Sequence, residues 1–171
     1  MRRARRCAAV VAEIVAALLL ATLPAAAATV RGLVGHAPTV VEVSPSGPVR
    51  SIREALTRVA RGGTIVVHAG IYRDTTIVVT IPVTIVGEGD AILDGESKRQ
   101  IMTVTGDSVT VRGLHFENVG VAFTEDLAAI KVVRATFCTI RDNRIDNAFF
   151  GIYLQEASEC VLEHNELRAT R

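Results

Sequence analysis

The chain has 171 residues, 49% of them hydrophobic, and its 19 basic and 18 acidic residues give a formal net charge of +1. This near-neutral balance, without a basic patch in the body of the chain, gives no indication of nucleic-acid binding. The hydrophobic fraction is that of a single globular domain. Aromatic residues are scarce, at five Phe and two Tyr with no Trp, which suits a narrow core filled with Val and Ile.

Residues 1–28 have the layout of a secretory signal peptide. Four arginines lie within the first six residues, an apolar run extends from Cys7 to Leu23, and small residues that suit cleavage follow up to Ala28. We therefore expect an exported, periplasmic protein of about 140 residues, without a membrane span once the signal is removed. Glu13 interrupts the apolar run, so an uncleaved anchor is the alternative. The position of Cys7 at the start of the run does not fit a lipoprotein.

Residues 29–48 contain three prolines and are expected to form an extended lead-in to the main domain, placed at 49–171. Ser51 followed by Glu54 is a capping box, the signature of a helix N-terminus. A short amphipathic helix is predicted over residues 52–60, with an apolar face of Ile52, Leu56 and Val59. Such a helix would cover the open end of the first coil of a repeat structure.

From Thr64 onward, apolar and polar residues alternate, which is the periodicity of β-strands. The early strands are predicted at 64–68, 76–80, 83–86, 91–93 and 101–105. Turns are predicted between them at Ala69-Gly70, Gly87 to Asp90, Asp94-Gly95 and Gly106-Asp107.

The strand pattern repeats. Residues 138–145 align with 160–167 at an offset of 22, and so do 129–132 with 151–154. Residues 109–116 align with 138–145 at an offset of 29, and 83–85 align with 109–111 at 26. The excess of seven residues in the longest unit is assigned to a lateral loop over Gly120 to Asp126. Self-similarity at a fixed spacing is the signature of a repeat architecture.

Units of this length, built from short strands, can each form one turn of a coil whose copies stack about 4.8 Å apart. The sequence thus predicts an all-β, right-handed parallel β-helix with an N-terminal capping helix. The chain stops at Arg171 within a repeat, so we expect it to be the N-terminal part of a longer repeat domain. An ordinary β-sandwich with chance internal similarity is the alternative.

Two pairs of residues share a column on this register and are expected to be structural. Asn143 and Asn165 lie at a bend, where stacked Asn side chains can bond backbone groups and one another. Cys138 and Cys160 should face inward with their Cα atoms about 4.8 Å apart. Three interpretations remain for them: two buried thiols, an inter-coil disulfide, or a pair binding a soft metal. Free thiols are favoured because stacked parallel positions give poor disulfide geometry.

Several phrases of the sequence resemble a known family. These are the Ser-Ile-Arg-Glu-Ala-Leu helix at residue 51, Gly-Thr-Ile-Val-Val-His-Ala-Gly-Ile-Tyr at 63, Val-Thr-Ile-Val-Gly-Glu-Gly-Asp-Ala-Ile-Leu-Asp-Gly at 83, and Phe-Gly-Ile-Tyr-Leu-Gln at 150. Together they resemble the NosD family, the periplasmic maturation proteins of nitrous oxide reductase, over about residues 49–167.

The resemblance implies a non-catalytic protein that works with the ABC transporter NosF and NosY in assembling the copper centre of nitrous oxide reductase. It carries over no ligand motif, so copper is a candidate ligand without assigned residues. Phrases of the Gly-Thr-Ile-Val-Val type are shared by many β-helix proteins. The alternative function is therefore a carbohydrate-binding or polysaccharide-cleaving β-helix protein, a lyase or a hydrolase.

Copper would be bound by Cys, Met or His side chains. After the signal, the sequence offers Cys138, Cys160, Met102, His36, His68, His115 and His164. None of them forms a His-x-His, Met-x-x-Met or Cys-x-x-Cys motif. His115 and His164 lie roughly 10 Å or more apart on the repeat register, which disfavours a shared ion.

The enzyme alternative depends on carboxylates grouped on one external face. Asp142 and Asp146 lie in one unit, and Glu163 lies on the next. Arginines surround them, at positions Arg141, Arg144 and Arg168. Turn formation and cross-strand charge pairing account for these residues without catalysis. Glu88 and Asp90 are likewise expected to be turn residues.

Overall fold

The structure is a computed structural model that describes residues 37–168. The expected signal peptide with Cys7, the first part of the lead-in and His36 lie outside the described residues. The elements, in order, are β1 (Val40–Val43), α1 (Ile52–Arg58), β2 (Thr64–Tyr72), β3 (Ile77–Val79), β4 (Thr84–Asp94), β5 (Met102–Val104), β6 (Thr110–Arg112), β7 (His115–Glu117), β8 (Ala128–Val133), β9 (Thr139–Arg141), β10 (Arg144–Asp146), β11 (Phe150–Gln155), β12 (Val161–Glu163) and β13 (Glu166–Arg168). Within this range no helix is long and apolar enough to cross a bilayer.

The described strands pair in parallel throughout. They form one nine-stranded and one four-stranded sheet, wound into a β-solenoid of about six turns. The predicted all-β fold of stacked parallel coils with one short helix is thus confirmed, and a β-sandwich of antiparallel strands is excluded. Val40–Val43, inside the segment expected to be a lead-in, forms β1 and pairs with β2.

Three faces run along the solenoid. The first contains β1, the N-terminal parts of β2 and β4, then β6, β9 and β12. The second contains the C-terminal parts of β2 and β4, then β7, β10 and β13. The third contains β3, β5, β8 and β11. Each of the four coils between Thr64 and Gln155 therefore contributes a strand, or part of one, to each face, with a bend between them.

The turns expected at Ala69-Gly70 and at Gly87 to Asp90 were wrong. Both segments lie inside continuous strands, β2 and β4, whose mutual register shifts between His68 and Gly70. A bulge lets paired strands bend without breaking the ladder, so these two coils turn the corner as intact strands. A Cβ atom on Gly87 would lie 2.2 Å from the carbonyl oxygen of Gly113, and the close contact explains the glycine.

The repeat register agrees with the sequence alignment. Thr139 pairs with Val161 at the offset of 22, and Thr110 pairs with Thr139 at 29. The extra seven residues lie between Glu117 and Ala128, where the chain takes 10 residues against three between the equivalent Asp146 and Phe150. We call this segment, residues 118–127, the lateral loop.

Helix α1 begins at the predicted cap, where the Ser51 hydroxyl accepts a hydrogen bond from the Glu54 N–H at 3.1 Å. The Glu54 carboxylate accepts from the N–H of Arg50 at 3.3 Å. The helix ends at Arg58, two residues before the predicted end, because Val59 is already extended. Ile52 and Ala55 are fully buried, so α1 packs its apolar side against the first coil.

The core consists of columns of aliphatic side chains, one from each coil. Ile65, Ile85, Val111 and Ile140 form a column behind the first face, and Leu93, Phe116 and Ile145 form one behind the second. All of these side chains are at most 2% exposed. Full burial stabilises by about 1.5 to 3 kcal/mol per large apolar side chain, so these columns hold the coils together.

Candidate functional site: the charged second face

Asn143 and Asn165 lie in register at the bend between the first and second faces. The Asn143 amide is 2% exposed, and its Nδ2 donates to the Val111 carbonyl at 3.0 Å and to Asn165 Oδ1 at 3.1 Å. Its Oδ1 accepts from the N–H of Leu114 at 3.1 Å. The amide of Asn143 thereby bonds three coils together, which is a structural role.

Cys138 and Cys160 lie on adjacent coils, one position before the paired residues Thr139 and Val161. Both are free thiols. The Cys138 thiol lies 3.6 Å from the Gly106 carbonyl oxygen, and the Cys160 thiol lies 3.4 Å from that of Ser158. Burial raises the pKa of the Cys138 thiol, which makes it a poor nucleophile and a poor thiolate ligand.

The soft metal ligands named from the sequence do not converge in residues 37–168. Met102 is fully buried in the core, and His68 lies between two carboxylates, 3.5 Å from Glu42 and 3.6 Å from Glu88. His115 and His164 have different partners, Asp146 and Asp142 respectively. In this part of the chain, no three His, Cys, Asp or Glu side chains are grouped to hold a metal ion.

A compact cluster of charged groups lies on the outer side of the second face, on β7 and β10. The Asp146 carboxylate Oδ2 is 2.8 Å from His115 Nε2, 2.8 Å from Arg144 Nε and 2.7 Å from Arg144 Nη2. The side chain of His115 is 13% exposed and that of Asp146 is 21% exposed. Burial alone would raise the pKa of Asp146, but the hydrogen bonds from Arg144 and His115 outweigh it and lower the pKa.

A second carboxylate of this face, Asp94, lies at the end of β4. It is 8% exposed and bonds the Arg73 guanidinium at 3.0 Å, the Glu96 N–H at 2.9 Å and the Asn118 amide at 3.1 Å. Here too burial raises the pKa, and the three donors together lower it below its usual value. Asp94 therefore stays ionised at neutral pH.

An amide ladder continues from Asp94 along the corner between the second and third faces. Asn118 bonds Asp94, and the Asn147 Nδ2 donates to Asn118 Oδ1 at 2.9 Å. Both asparagines adopt a left-handed conformation, with φ of 54°, which Asn tolerates better than most residues. This ladder supports the corner from which the lateral loop leaves the coil.

The acidic residues singled out from the sequence do not form one group. Asp142 has a φ of 55° and lies at the corner between β9 and β10, where it contacts Arg141 at 3.2 Å and His164 at 3.7 Å. Asp146 belongs to the second face instead, and Glu163 is exposed on β12. Glu88 and Asp90 are exposed within β4.

Sequence reasoning singled out His115, Asp146 and Arg144 of this face but missed Arg73 and Glu117. Glu117 lies beside Asp94 on one neighbouring coil and beside Asp146 on the other. The signal was present, because Glu117 and Asp146, like Asn118 and Asn147, are separated by 29 residues, the offset of that repeat. Extending the alignment past Phe116 would have found both pairs.

The cluster can bind and orient charged groups, because a column of acids, Asp94, Glu117 and Asp146, lies beside a column of bases, His115 and Arg144, on a rigid sheet. Asp94 and Asp146 both have a lowered pKa, so neither is suited to donate a proton. Comparison of the chain with family models, with curated proteins and with solved structures found no match.

Proposed function

We propose that this protein is a non-enzymatic accessory protein of the periplasm that assists assembly of the copper centre of nitrous oxide reductase, together with an ABC transporter. The specific assignment derives from the NosD-like phrases between residues 49 and 167. The solenoid that these phrases build is a rigid, elongated surface of the kind that binds other proteins.

The observation that supports a non-enzymatic role is that the carboxylates of the second face are hydrogen-bonded to basic and amide groups. Oδ2 of Asp146 is bonded by Arg144 and His115, although Oδ1 is buried without a partner among residues 37–168. Asp94 is bonded by Arg73, Asn118 and a backbone N–H. Glycoside hydrolysis requires one carboxyl group with a raised pKa as general acid. Asp94 and Asp146 have a lowered pKa instead, which supports a binding role for this face. Burial does raise the pKa of Asp74, but the Asp74 carboxylate accepts a hydrogen bond from the Ile52 N–H at the start of α1 at 3.1 Å, which gives it a structural role.

In this proposal copper is delivered to the reductase and is not a resident cofactor of this protein. The thiols, Met102 and the histidines between residues 37 and 168 do not converge on a common point, so the proposal assigns none of them as a copper ligand. The expected contribution of the domain is to hold a partner protein in position, and its charged face would supply specificity rather than most of the affinity.

A complementation experiment tests the proposal. In a strain that lacks the gene, expression of the full chain should restore the visible absorption bands of the copper centre in purified nitrous oxide reductase. The variants Asp94→Asn and Asp146→Asn, shown to be folded by circular dichroism, should restore them less fully than the wild type, because each removes a charge from the face that supplies specificity. Absence of rescue by the wild-type chain, or cleavage of polyuronate by the purified protein that either variant abolishes, would contradict the proposal.

A further inference from the structure

The third face differs from the other two in its charge. Its strands β3, β5, β8 and β11 contain three, three, six and six residues, and Lys131 is the one charged residue among them. The outer side also carries Val78, which is 50% exposed. Depletion of charge and enrichment of aromatic residues distinguish the centres of protein interfaces from ordinary surface.

Three aromatic side chains, Phe149, Phe150 and Tyr153, form a cluster at the β11 end of this face. The ring centroids of Phe149 and Phe150 lie 4.8 Å apart with an edge-to-face angle of 89°, and those of Phe150 and Tyr153 lie 5.5 Å apart. The Lys131 ammonium lies 5.0 Å from the centroid of the Tyr153 ring. Phe149 remains 63% exposed, so the aromatic cluster is open to a partner.

The lateral loop, whose base bonds the segment before β11, presents a second apolar group. The Phe123 side chain is fully exposed, at 104%, and Val121 is 67% exposed. The base of the loop is fixed, because Val119 donates to the Asn147 carbonyl at 3.2 Å and Gly120 to the Arg99 carbonyl at 2.9 Å. The loop therefore leaves the coil beside the segment that carries Phe149, while Phe123 reaches none of the aromatic cluster of its own chain.

The lateral loop and the third face also carry charges of opposite sign. Glu125 and Asp126 of the lateral loop are exposed, and within residues 37–168 neither forms a salt bridge. Lys131 on the third face has no carboxylate partner in that range either. One molecule thus carries a projecting phenylalanine with two acids, and also an aromatic surface with one base.

We propose that the third face is the contact surface for a second copy of this chain. A two-fold axis places the lateral loop of each protomer on the face of the other, with Phe123 against the aromatic cluster and Glu125 and Asp126 near Lys131. Such a contact is isologous, so it closes at two copies. It removes the exposed Phe123 and Phe149 from water at two symmetry-related places, which is the driving force for association.

Sedimentation equilibrium of the purified full chain over a range of concentrations tests this proposal. We expect a monomer–dimer equilibrium whose dissociation constant rises at least tenfold in Phe123→Ser. The matched control is Phe137→Ser, because Phe137 is 59% exposed but lies between β8 and β9, away from the lateral loop. Equal dissociation constants for the two variants, or a monomeric wild-type chain at every concentration, would overturn the proposal and leave the face to a different occupant.

Charge reversal provides a test that loss of folding cannot imitate. Lys131→Glu alone and the double variant Glu125→Lys, Asp126→Lys alone should each be monomeric, since each places like charges together. An equimolar mixture of the two should form a heterodimer, because both contacts then pair opposite charges. Arg134→Glu is the control, as Arg134 is exposed and pairs with Glu156 of its own chain. A mixture that stays monomeric would count against the two-fold arrangement.

Discussion

The imidazole of His115 and the carboxylate of Asp146 lie 2.8 Å apart on neighbouring coils, although 31 residues separate them in the sequence. His115 pairs with Arg144 and Glu117 with Asp146 along the ladder, so the contact is a diagonal one on a single face. Its geometry depends on the register between β7 and β10. Interactions of this kind form on the outer surface only when the coils inside are stacked in the correct register.

Replacement of Asp146 by Asn should destabilise the fold by about 1 to 2 kcal/mol, since charge-assisted hydrogen bonds to Arg144 and His115 are lost. The folded-state pKa of Asp146 lies below its ordinary value of 3.8, so its contribution is fully present above that pH and is lost as the pH falls below it. Urea unfolding of the variant from about pH 7 down to about pH 3 should therefore show a weaker acid dependence than the wild type.

Asp142→Asn is the matched control for that experiment. Asp142 is exposed and has a left-handed backbone conformation that Asn adopts equally well. Its substitution should leave the free energy of unfolding within about 0.5 kcal/mol of the wild type. If Asp146→Asn proved as harmless as this control, the charged cluster would have no role in stability.

Replacement of Asn143 by Ala should destabilise the protein by about 2 to 4 kcal/mol, because it leaves the Leu114 N–H buried without a partner and removes the side-chain bond to the Val111 carbonyl. Asn165→Ala is the comparison, since Asn165 makes the equivalent bond to the Ile140 carbonyl at 2.8 Å in the more exposed coil of β12 and β13. Chemical denaturation of both variants measures the difference. A larger loss for Asn165 than for Asn143 would contradict the role assigned to burial.

Thiol titration of the unreduced, denatured protein after signal removal should find two free cysteines. In the native state, Cys160 should react with a thiol reagent well before Cys138, because Cys138 is 1% exposed and burial raises its pKa. The rates can be followed with a chromogenic disulfide reagent. A count of zero thiols would show that the inter-coil disulfide forms instead.

Replacement of Gly87 by Ala should cost about 2 kcal/mol or more, because the added methyl group overlaps the backbone carbonyl of Gly113, which cannot rotate away as a side chain can. Gly47→Ala is the control, as a Cβ atom there lies no closer than 3.3 Å to any neighbour, the Ser44 Cβ. Thermal melting of the two variants gives the comparison. Equal melting temperatures would mean that the ladder between β4 and β6 relaxes more freely than the close contact suggests.

Sequence periodicity was sufficient for the fold because a solenoid repeats the same local environment. The offset of 22 identified which residues lie over which, as the pairing of Ile130 with Ile152 shows. The prediction of turns from sequence failed at the bends of the early coils. There a glycine normally signals a turn, but at Gly70 and Gly87 the chain remains extended, and β2 and β4 stay paired with each other through the bend with a bulge between His68 and Gly70.

The candidate site was harder to predict, since its members come from four coils of unequal length. Asp94 was assigned to a turn, and its ionic partner Arg73 lies 21 residues away, an offset that occurs nowhere in the repeat alignment. The exposure of Phe123 could not be predicted either, because an isolated aromatic residue in a loop fits a core as well as a surface. The sequence predicted the position of the lateral loop but not which of its side chains are exposed.

The lateral loop also shows that a coil of this solenoid can be lengthened without changing the register of its strands. Seven additional residues leave the coil at one corner, and β8 resumes its pairing with β5 and β11 without displacement. Insertions at this corner are therefore tolerated by the stack, while a single inserted residue within β7 would turn every following side chain to the opposite wall. Variation among natural or engineered forms should accumulate at such corners, where a new recognition element can be added without redesigning the scaffold.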